Sequence, residues 1–303
     1  MNESREILMP SVNQSLRYVI ISPVKDEERY VEFTLRSVTQ QTLKPIQWVI
    51  VNDGSTDGTG KILERYSTKF DWIKVLHRKN RGYRAAGGGV IEAFNEGYST
   101  IDDKRWEFIV KLDGDLSFNP DYFEKCFLYF AGDDKLGIGG GTVCMLRNGK
   151  LKVDSVGDPP FHVRGASKIY RRACWEKINP LTQAPGWDTI DEVKAIFHGW
   201  STRTFPGITL IQHKATGSAD GNWRSWFKNG LANYITGYHP VFMVGKCGKR
   251  AFRKPFLIAS AALWAGFCWG YLKGIPQGQD GEVICFLRRQ QLRRLLLRKS
   301  IYG

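Results

Sequence analysis

Asp113 and Asp115 stand one glycine apart where an apolar run opens into a turn, KLDGDLS. Two carboxylates at this spacing can converge on one hard cation, and the intervening glycine permits the tight bend. Mg²⁺ or Mn²⁺ held by one or two carboxylates keeps coordination positions for phosphate oxygens and neutralises charge growing on a departing diphosphate. Asp-Gly is also a common turn pair that needs no ligand. An EF-hand is excluded, because Phe118 occupies the loop position that requires glycine and the preceding EFIVKL reads as strand. A second acidic turn, NDGSTDGT, presents Asp53, whose carboxylate can accept the imide N–H of a uracil. Asp57 in the same turn precedes a helix and reads as a cap. A third, SPVKDEE, offers Lys25 to a phosphate and Glu27 or Glu28 to a ribose hydroxyl.

These turns follow apolar runs at 18–22, 46–52 and 108–112, with a fourth run at 73–77 and amphipathic segments between. Strands apolar on both faces and separated by helix-length segments predict an α/β fold, its sheet mostly parallel and covered on two sides. In such sheets ligands bind beyond the carboxyl ends of the strands, which is where all three acidic turns fall. After Ala131 come a glycine-rich LGIGGGT, a helix expected over 189–198, and strands near 202–205 and 209–213. LGIGGGT lacks the last glycine of a dinucleotide fingerprint and does not follow the first strand, so a dehydrogenase is poorly supported.

The 303 residues are 42% hydrophobic and 24% charged, which excludes a disordered, collagen-like or polytopic chain. Net charge is +14, and the excess is concentrated. From Met243 onward twelve basic residues face only Asp280 and Glu282. Each basic group near an anionic leaflet is worth about 1 kcal/mol, so this tail is expected to meet an anionic membrane surface. No nucleic-acid module is readable. Residues 256–272 carry no charge but reach only about 25 Å as a helix, short of the roughly 30 Å hydrocarbon core. With Trp264, Phe267, Trp269 and Tyr271 they read as interfacial or re-entrant, with a core helix as the alternative. Six cysteines show no metal or disulfide spacing, and the N-terminus lacks a signal peptide, so a cytoplasmic, reducing environment is expected.

Taken in order, SPVKDEERYVEFTLRSVTQQT, VIVNDGSTDGT and KLDGDL resemble the family 2 inverting glycosyltransferases of the GT-A fold, over about residues 17–218. The resemblance implies an α/β GT-A nucleotide-sugar-binding fold with a mixed, mostly parallel central sheet. It implies a sugar nucleotide donor, Mg²⁺ or Mn²⁺ at the Asp-x-Asp motif, and transfer with inversion. By matching position, Pro23, Lys25 and Glu27 line the nucleotide, Asp53 reads the base, Asp113 contacts ribose or metal, and Asp115 ligates metal. In NRGYRAAGG only Asn80 and Gly82 match the family pattern, leaving Arg84 as a diphosphate contact.

Inversion needs a carboxylate that takes the acceptor hydroxyl proton, and the family places it at a helix start about seventy residues beyond the metal motif. The matching stretch, PGWDTIDEVKAIFHGW, offers Asp188, Asp191 and Glu192, with Asp191 the expected base. Asp188 reads equally as a helix N-cap, with Asp191 or Glu192 closing a capping box. His213, and His162 with Arg164, read as structural or as further contacts. No Gln-x-x-Arg-Trp motif of the processive synthases is present, GNWRSW being a distant echo, so single-sugar transfer is expected.

The organisation expected is an extension over 1–16, a GT-A domain over 17–240, and basic membrane-associated C-terminal helices over 241–303. The function expected is transfer of one sugar, from a UDP-sugar by preference, to a lipid-linked or polysaccharide acceptor, with the protein peripheral or monotopic at the cytoplasmic face of the membrane. A polyprenyl-phosphate glycosyltransferase, needing no base, and a non-enzymatic nucleotide-binding protein at the membrane are the alternatives.

Overall fold

A computed structural model describes residues 16–82, 87–147, 149–154, 157–214, 221–252, 255–278 and 280–303. Its first half alternates β1 (Tyr18–Val24), α1 (Val31–Thr39), β2 (Gln47–Asn52), α2 (Thr59–Ser67), β3 (Ile73–His77), α3 (Gly88–Ser99) and β4 (Phe108–Leu112). Four of these strands run parallel in the order β3-β2-β1-β4. The sheet continues β8-β6-β9-β5, through β5 (Leu116–Phe118), β6 (Leu136–Arg147), β8 (Ser167–Arg171) and β9 (Ser201–Gln212), with β7 (Lys150–Val153) beside β6. β8 is antiparallel to both β4 and β6, β9 runs parallel to β6, and β5 runs antiparallel to β9.

Period-two alternation along the strands fixes the layers. Tyr18 and Ile20 of β1 pack with Leu35 of α1, Leu63 of α2 and Phe123 and Phe127 of α4 (Tyr122–Ala131). Val19 and Ile21 face the other way, onto Ile91 and Phe94 of α3, Trp175 of α5 (Arg172–Ile178) and Ala195 of α6 (Trp187–Phe197). The strands leave β1 toward β2 on one side and meet β4 on the other. The crevice at that reversal is where such sheets take their ligands.

A third apolar cluster joins Ile190 and Val193 of α6 to α7 (Gly221–Ile235), α8 (Pro240–Ala251), α9 (Ile258–Leu272) and α10 (Gly281–Leu295), through Tyr234, Met243, Leu263, Phe267 and Leu287. The apolar stretch expected at a membrane interface is therefore partly spent on the protein itself. Ala259, Ala262, Gly266 and Gly270 of α9 are turned inward, and α7 crosses so closely that a Cβ on Gly266 would lie 2.0 Å from the Phe227 carbonyl oxygen. A Cβ on Gly230 would lie 1.9 Å from that of Leu263. Trp264, Trp269, Tyr271 and Leu272 remain on the outer face. Among the described residues no helix is long and apolar enough to cross a membrane.

Candidate active site

The three acidic turns converge at the crevice. After β1, Asp26 adopts a left-handed φ of 52°, held by its amide donating to Ser55 Oγ at 2.9 Å and its carboxylate accepting from the Thr56 amide at 2.8 Å. The turns after β1 and β2 are thereby bound to each other. Asp57 accepts from the amides of Glu28 and Thr59 just before α2, whose N-cap is Gly58, so it braces the turn rather than capping the helix. Pro23 is buried inside β1 opposite Val51, and Lys25 Nζ lies 3.4 Å from Asn80 Oδ1. Arg84 lies outside the described residues.

Asp53 is gripped by two cations that sequence reasoning missed. Arg78 and Arg81 each meet Asp53 Oδ1 at 2.6 Å, and both are tied in turn to Glu92. Arg78 also pairs with Glu96 at 2.6 Å. Their signal was the basic run RKNR directly after β3, at a fourth strand end on the ligand-facing edge.

At the end of β4, Gly114 is enforced by contact, since a Cβ there would lie 2.5 Å from Val24 Cγ1. Asp113 is partly exposed and receives the buried ammonium of Lys111. Asp115 is only 5% exposed, accepting from Gln212 Nε2 at 3.2 Å. Burial, then the charges of Asp113 and Glu27, push its carboxyl up to about 7. Glu27 is raised as well, by burial first and by Asp113 and Asp57, although Lys214 Nζ sits 2.7 Å from its Oε1. Its Oε2 is buried with no hydrogen-bond partner. Carboxylates that raise one another's pKa, one with an orphaned oxygen, make a locally negative pocket of the kind that one or two acids use to hold a divalent cation. Among the described residues no group of three or more His, Cys, Asp or Glu is placed to hold a metal ion. A cation here would therefore rest on one or two of these carboxylates and take its other positions from ligand oxygens or water. His213 is occupied elsewhere, bonded to Ser117 Oγ at 2.9 Å and stacked on Phe33 at 4.3 Å.

The structure differs from expectation at Asp191. This residue is 2% exposed, and its oxygens accept from Lys168 Nζ at 2.7 and 3.0 Å, from the Tyr170 hydroxyl and from the Glu192 amide. Both of its oxygens are engaged by partners inside the fold, and burial pushes its carboxyl up to about 7. Glu192 is sealed too, between Lys168 at 2.8 Å, the Val163 amide at 2.7 Å and His162 Nδ1 at 2.9 Å. Asp188 differs. Gly186, at φ 85°, caps α6 without any side-chain bond, so Asp188 is no N-cap but sits in the first turn, half-buried. Its carboxylate has no hydrogen-bond partner among the described residues, while its carbonyl is held by Lys168. Trp187 beside it is 7% exposed and wedged between the ammoniums of Lys111 and Lys168, 5.3 and 5.4 Å from the ring centre, so it is a spacer and no sugar platform. Lys111 donates to both Asp113 and the Gly165 carbonyl, and a Cβ on Gly165 would meet Asp188 Cβ at 3.5 Å. One short path of contacts thus links the Asp-Gly-Asp turn to Asp188.

Burial opposes charge on His162, but Glu192 and then Asp188 outweigh it and hold the imidazolium up to about 9. With a folded pKa above the ordinary histidine value, its stabilisation is complete below about pH 6.5 and is lost as pH rises through 9. The free energy of unfolding should fall between pH 7 and 10 by up to about 3 kcal/mol, read by denaturant melts across that range. A His162→Gln variant should show a flatter profile, and an unchanged slope would refute the pairing.

A parallel half bearing acidic strand ends, completed by an antiparallel half that carries a further carboxylate-bearing helix, defines the GT-A class. The fold is shared with a mannosyltransferase from Pyrobaculum calidifontis in complex with GDP-Man and Mn²⁺ (TM-score 0.57, 17% identity, 95% of this chain and 83% of that one). It is shared also with S. aureus TarS 1–349 in complex with UDP-GlcNAc (TM-score 0.54, 17% identity, 93% and 86%). Residues 19–155 match the model of Glycosyl transferase family 2. Relatives include glycosyltransferase GlyA of Streptococcus pneumoniae, 34% identical over 91 residues, 30% of this chain and 13% of that protein. Glycosyltransferase AglE of Haloferax volcanii is 27% identical over 239 residues, 77% and 70% of the two chains. The match spans less than a third of the length of GlyA and of two Bacillus subtilis relatives.

Proposed function

We propose that this chain transfers a single sugar, with inversion, from a nucleotide-diphosphate sugar to a hydroxyl of a membrane-associated glycan or lipid-linked acceptor, with Asp188 as the base. The observation that carries this reading is the unpartnered Asp188 carboxylate at the mouth of α6, joined through Gly165 and Lys111 to the Asp113–Asp115 turn.

Asp53, immobilised by Arg78 and Arg81, accepts an N–H of the base, which favours uracil. Glu27 and Lys25 border the ribose and phosphates. Asp115 and Asp113 would hold Mg²⁺ or Mn²⁺, and such a cation supplies charge that stabilises the leaving diphosphate. Lys111 orients Asp113, and the buried Lys168 pins the first turn of α6 through the Asp188 carbonyl. Asp188 then takes the acceptor O–H proton while the acceptor oxygen bonds to the anomeric carbon and the bond to the diphosphate oxygen breaks. Asp191 acts as a positioning residue, because its pairing with Lys168 fixes α6. The test is product analysis with UDP- and GDP-sugars and Mn²⁺. An α-linked donor should give a β-linked product by NMR, and a retained configuration would refute a single displacement.

The tail supports residence at an anionic bilayer. Leu297 is 92% exposed, Phe252 84% and Leu257 70%, in the region that carries the basic excess. Burying two leucines is worth about 1.5–3 kcal/mol each. Leu296→Ser with Leu297→Ser should therefore lower cosedimentation with phosphatidylglycerol vesicles at least tenfold, and undiminished binding would refute membrane residence through this patch.

A further inference from the structure

A cavity of about 580 Å³ lies between the 157–160 segment and helices α7, α8 and α10, apart from the crevice of the three acidic turns. Its wall carries four cations, Lys246, Lys249, Arg250 and Arg294, against a single carboxylate, Asp158. Aromatic rings back the cations. The Arg250 guanidinium lies 4.3 Å from the Trp226 ring centre, and Lys246 Nζ lies 5.0 Å from that of Tyr238 while bonded to Asn233 Oδ1 at 3.0 Å. Phe242 and Tyr302 complete the apolar part. Neighbouring charges tie this cavity to the base proposed above. Asp158 Oδ2 in the cavity wall lies 3.9 Å from His162 Nε2, whose Nδ1 lies 2.9 Å from Glu192 Oε2 on α6, the helix that carries Asp188 in its first turn. Tyr238 of the cavity wall shares a buried cluster with Ile190 and Val193 of the same helix.

Cations gathered on an aromatic floor match a ligand that combines a strong anion with a sugar or hydrocarbon body. Resting on the reading of Asp188 as base, we propose that this cavity is the acceptor site and that it binds a phosphate group of the acceptor, which holds the hydroxyl-bearing sugar against Asp188. Arginine's fork suits phosphate oxygens and the lysines add point charges. The exposed apolar residues Val244 and Leu295 lie on the same two helices, and Leu295 is itself part of the wall, so a polyprenyl chain leaving the phosphate would find an apolar path. A phosphodiester polymer would present the same chemistry without that chain.

The test is calorimetry on the full chain with Mn²⁺ and saturating UDP, so that the nucleotide site is filled. Two probes are used, a soluble glycerol-phosphate oligomer and farnesyl diphosphate. Binding of either supports the site, the first marking a polymer and the second a lipid-linked acceptor. Lys249→Glu with Arg294→Glu should weaken that binding at least tenfold and leave UDP affinity unchanged. The milder Lys249→Gln with Arg294→Gln covers misfolding of the reversal variant. Arg289→Glu with Arg298→Glu, equal in charge but outside the cavity, should have less than a twofold effect. Absence of binding by both probes, or equal losses in the cavity and control variants, would overturn the proposal. Loss of UDP binding in the wild type would sink the transferase reading instead, and the probe titrations without UDP would still report on the cavity.

Discussion

Asp188→Asn is expected to lower sugar transfer by about 10²–10⁴-fold, the usual share of a positioned base. UDP affinity should be unchanged and Tm only slightly lower, because the carboxylate bonds no other group and only its charge reaches the His162 imidazolium. Asp191→Asn should give the opposite pattern. It removes one charge from a sealed cluster in which Lys168 serves Asp191, Glu192 and the Asp188 carbonyl, and breaking such a pair costs up to about 3–5 kcal/mol. The expected result is a Tm several degrees lower, with any loss of rate following the loss of fold. Steady-state rates and differential scanning calorimetry on both variants separate the two roles. A fully folded Asp191→Asn protein with no activity, beside an active Asp188→Asn protein, would return the base to Asp191. Normal activity of Asp188→Asn on a polyprenyl phosphate would favour the alternative acceptor, whose phosphate oxygen needs no base.

Asp115→Asn should abolish Mn²⁺-dependent binding of the donor, with affinity falling roughly a hundredfold, since several kcal/mol of charge stabilisation depend on the cation. In EDTA the same variant should melt no lower than wild type, and above it at neutral pH. Asp115 is buried against Asp113 and Glu27, and without a cation its charge is a cost to the fold. The combination matters, because a residue that merely braced the turn would lose donor binding and stability together. Titration calorimetry with UDP, run with and without Mn²⁺, reads the first effect, and unchanged Mn²⁺-dependent affinity would remove Asp115 from the site.

The parallel half of the sheet was legible because its strands are short apolar runs. The run at 108–112 matches β4 residue for residue, and that at 18–22 falls two residues short of β1, whose Pro23 looked like a turn. The acidic turns were legible for a related reason, since polar residues directly after a buried strand have few structural duties. The partners of those acids were not. Arg78 and Arg81 reach Asp53 across 25 and 28 residues of chain, and Lys168 and Tyr170 reach Asp191 from β8, an antiparallel strand without a clean apolar run. Periodicity places Asp188 and Asp191 on one helical face, yet only the packing of β8 against α6 decides which is sealed. The stretch 256–272 was ambiguous for another reason. Small and apolar residues with no charge describe a helix nestled against a neighbour's backbone as well as one lying in lipid.

At the crossing of α7 and α9, main chain rests on main chain at Gly230 and Gly266, so no side chain there can yield. One added methyl would be felt as a shift of an entire helix. α7 carries Trp226 and Asn233, and α6 leans on the same bundle through Ile190 and Val193, so the shift would reach both the cationic cavity and the turn bearing Asp188. This bundle is therefore a rigid spacer between the cationic cavity and the turn bearing Asp188. Its seam, more than any outward-facing side chain, sets how far apart the two stand.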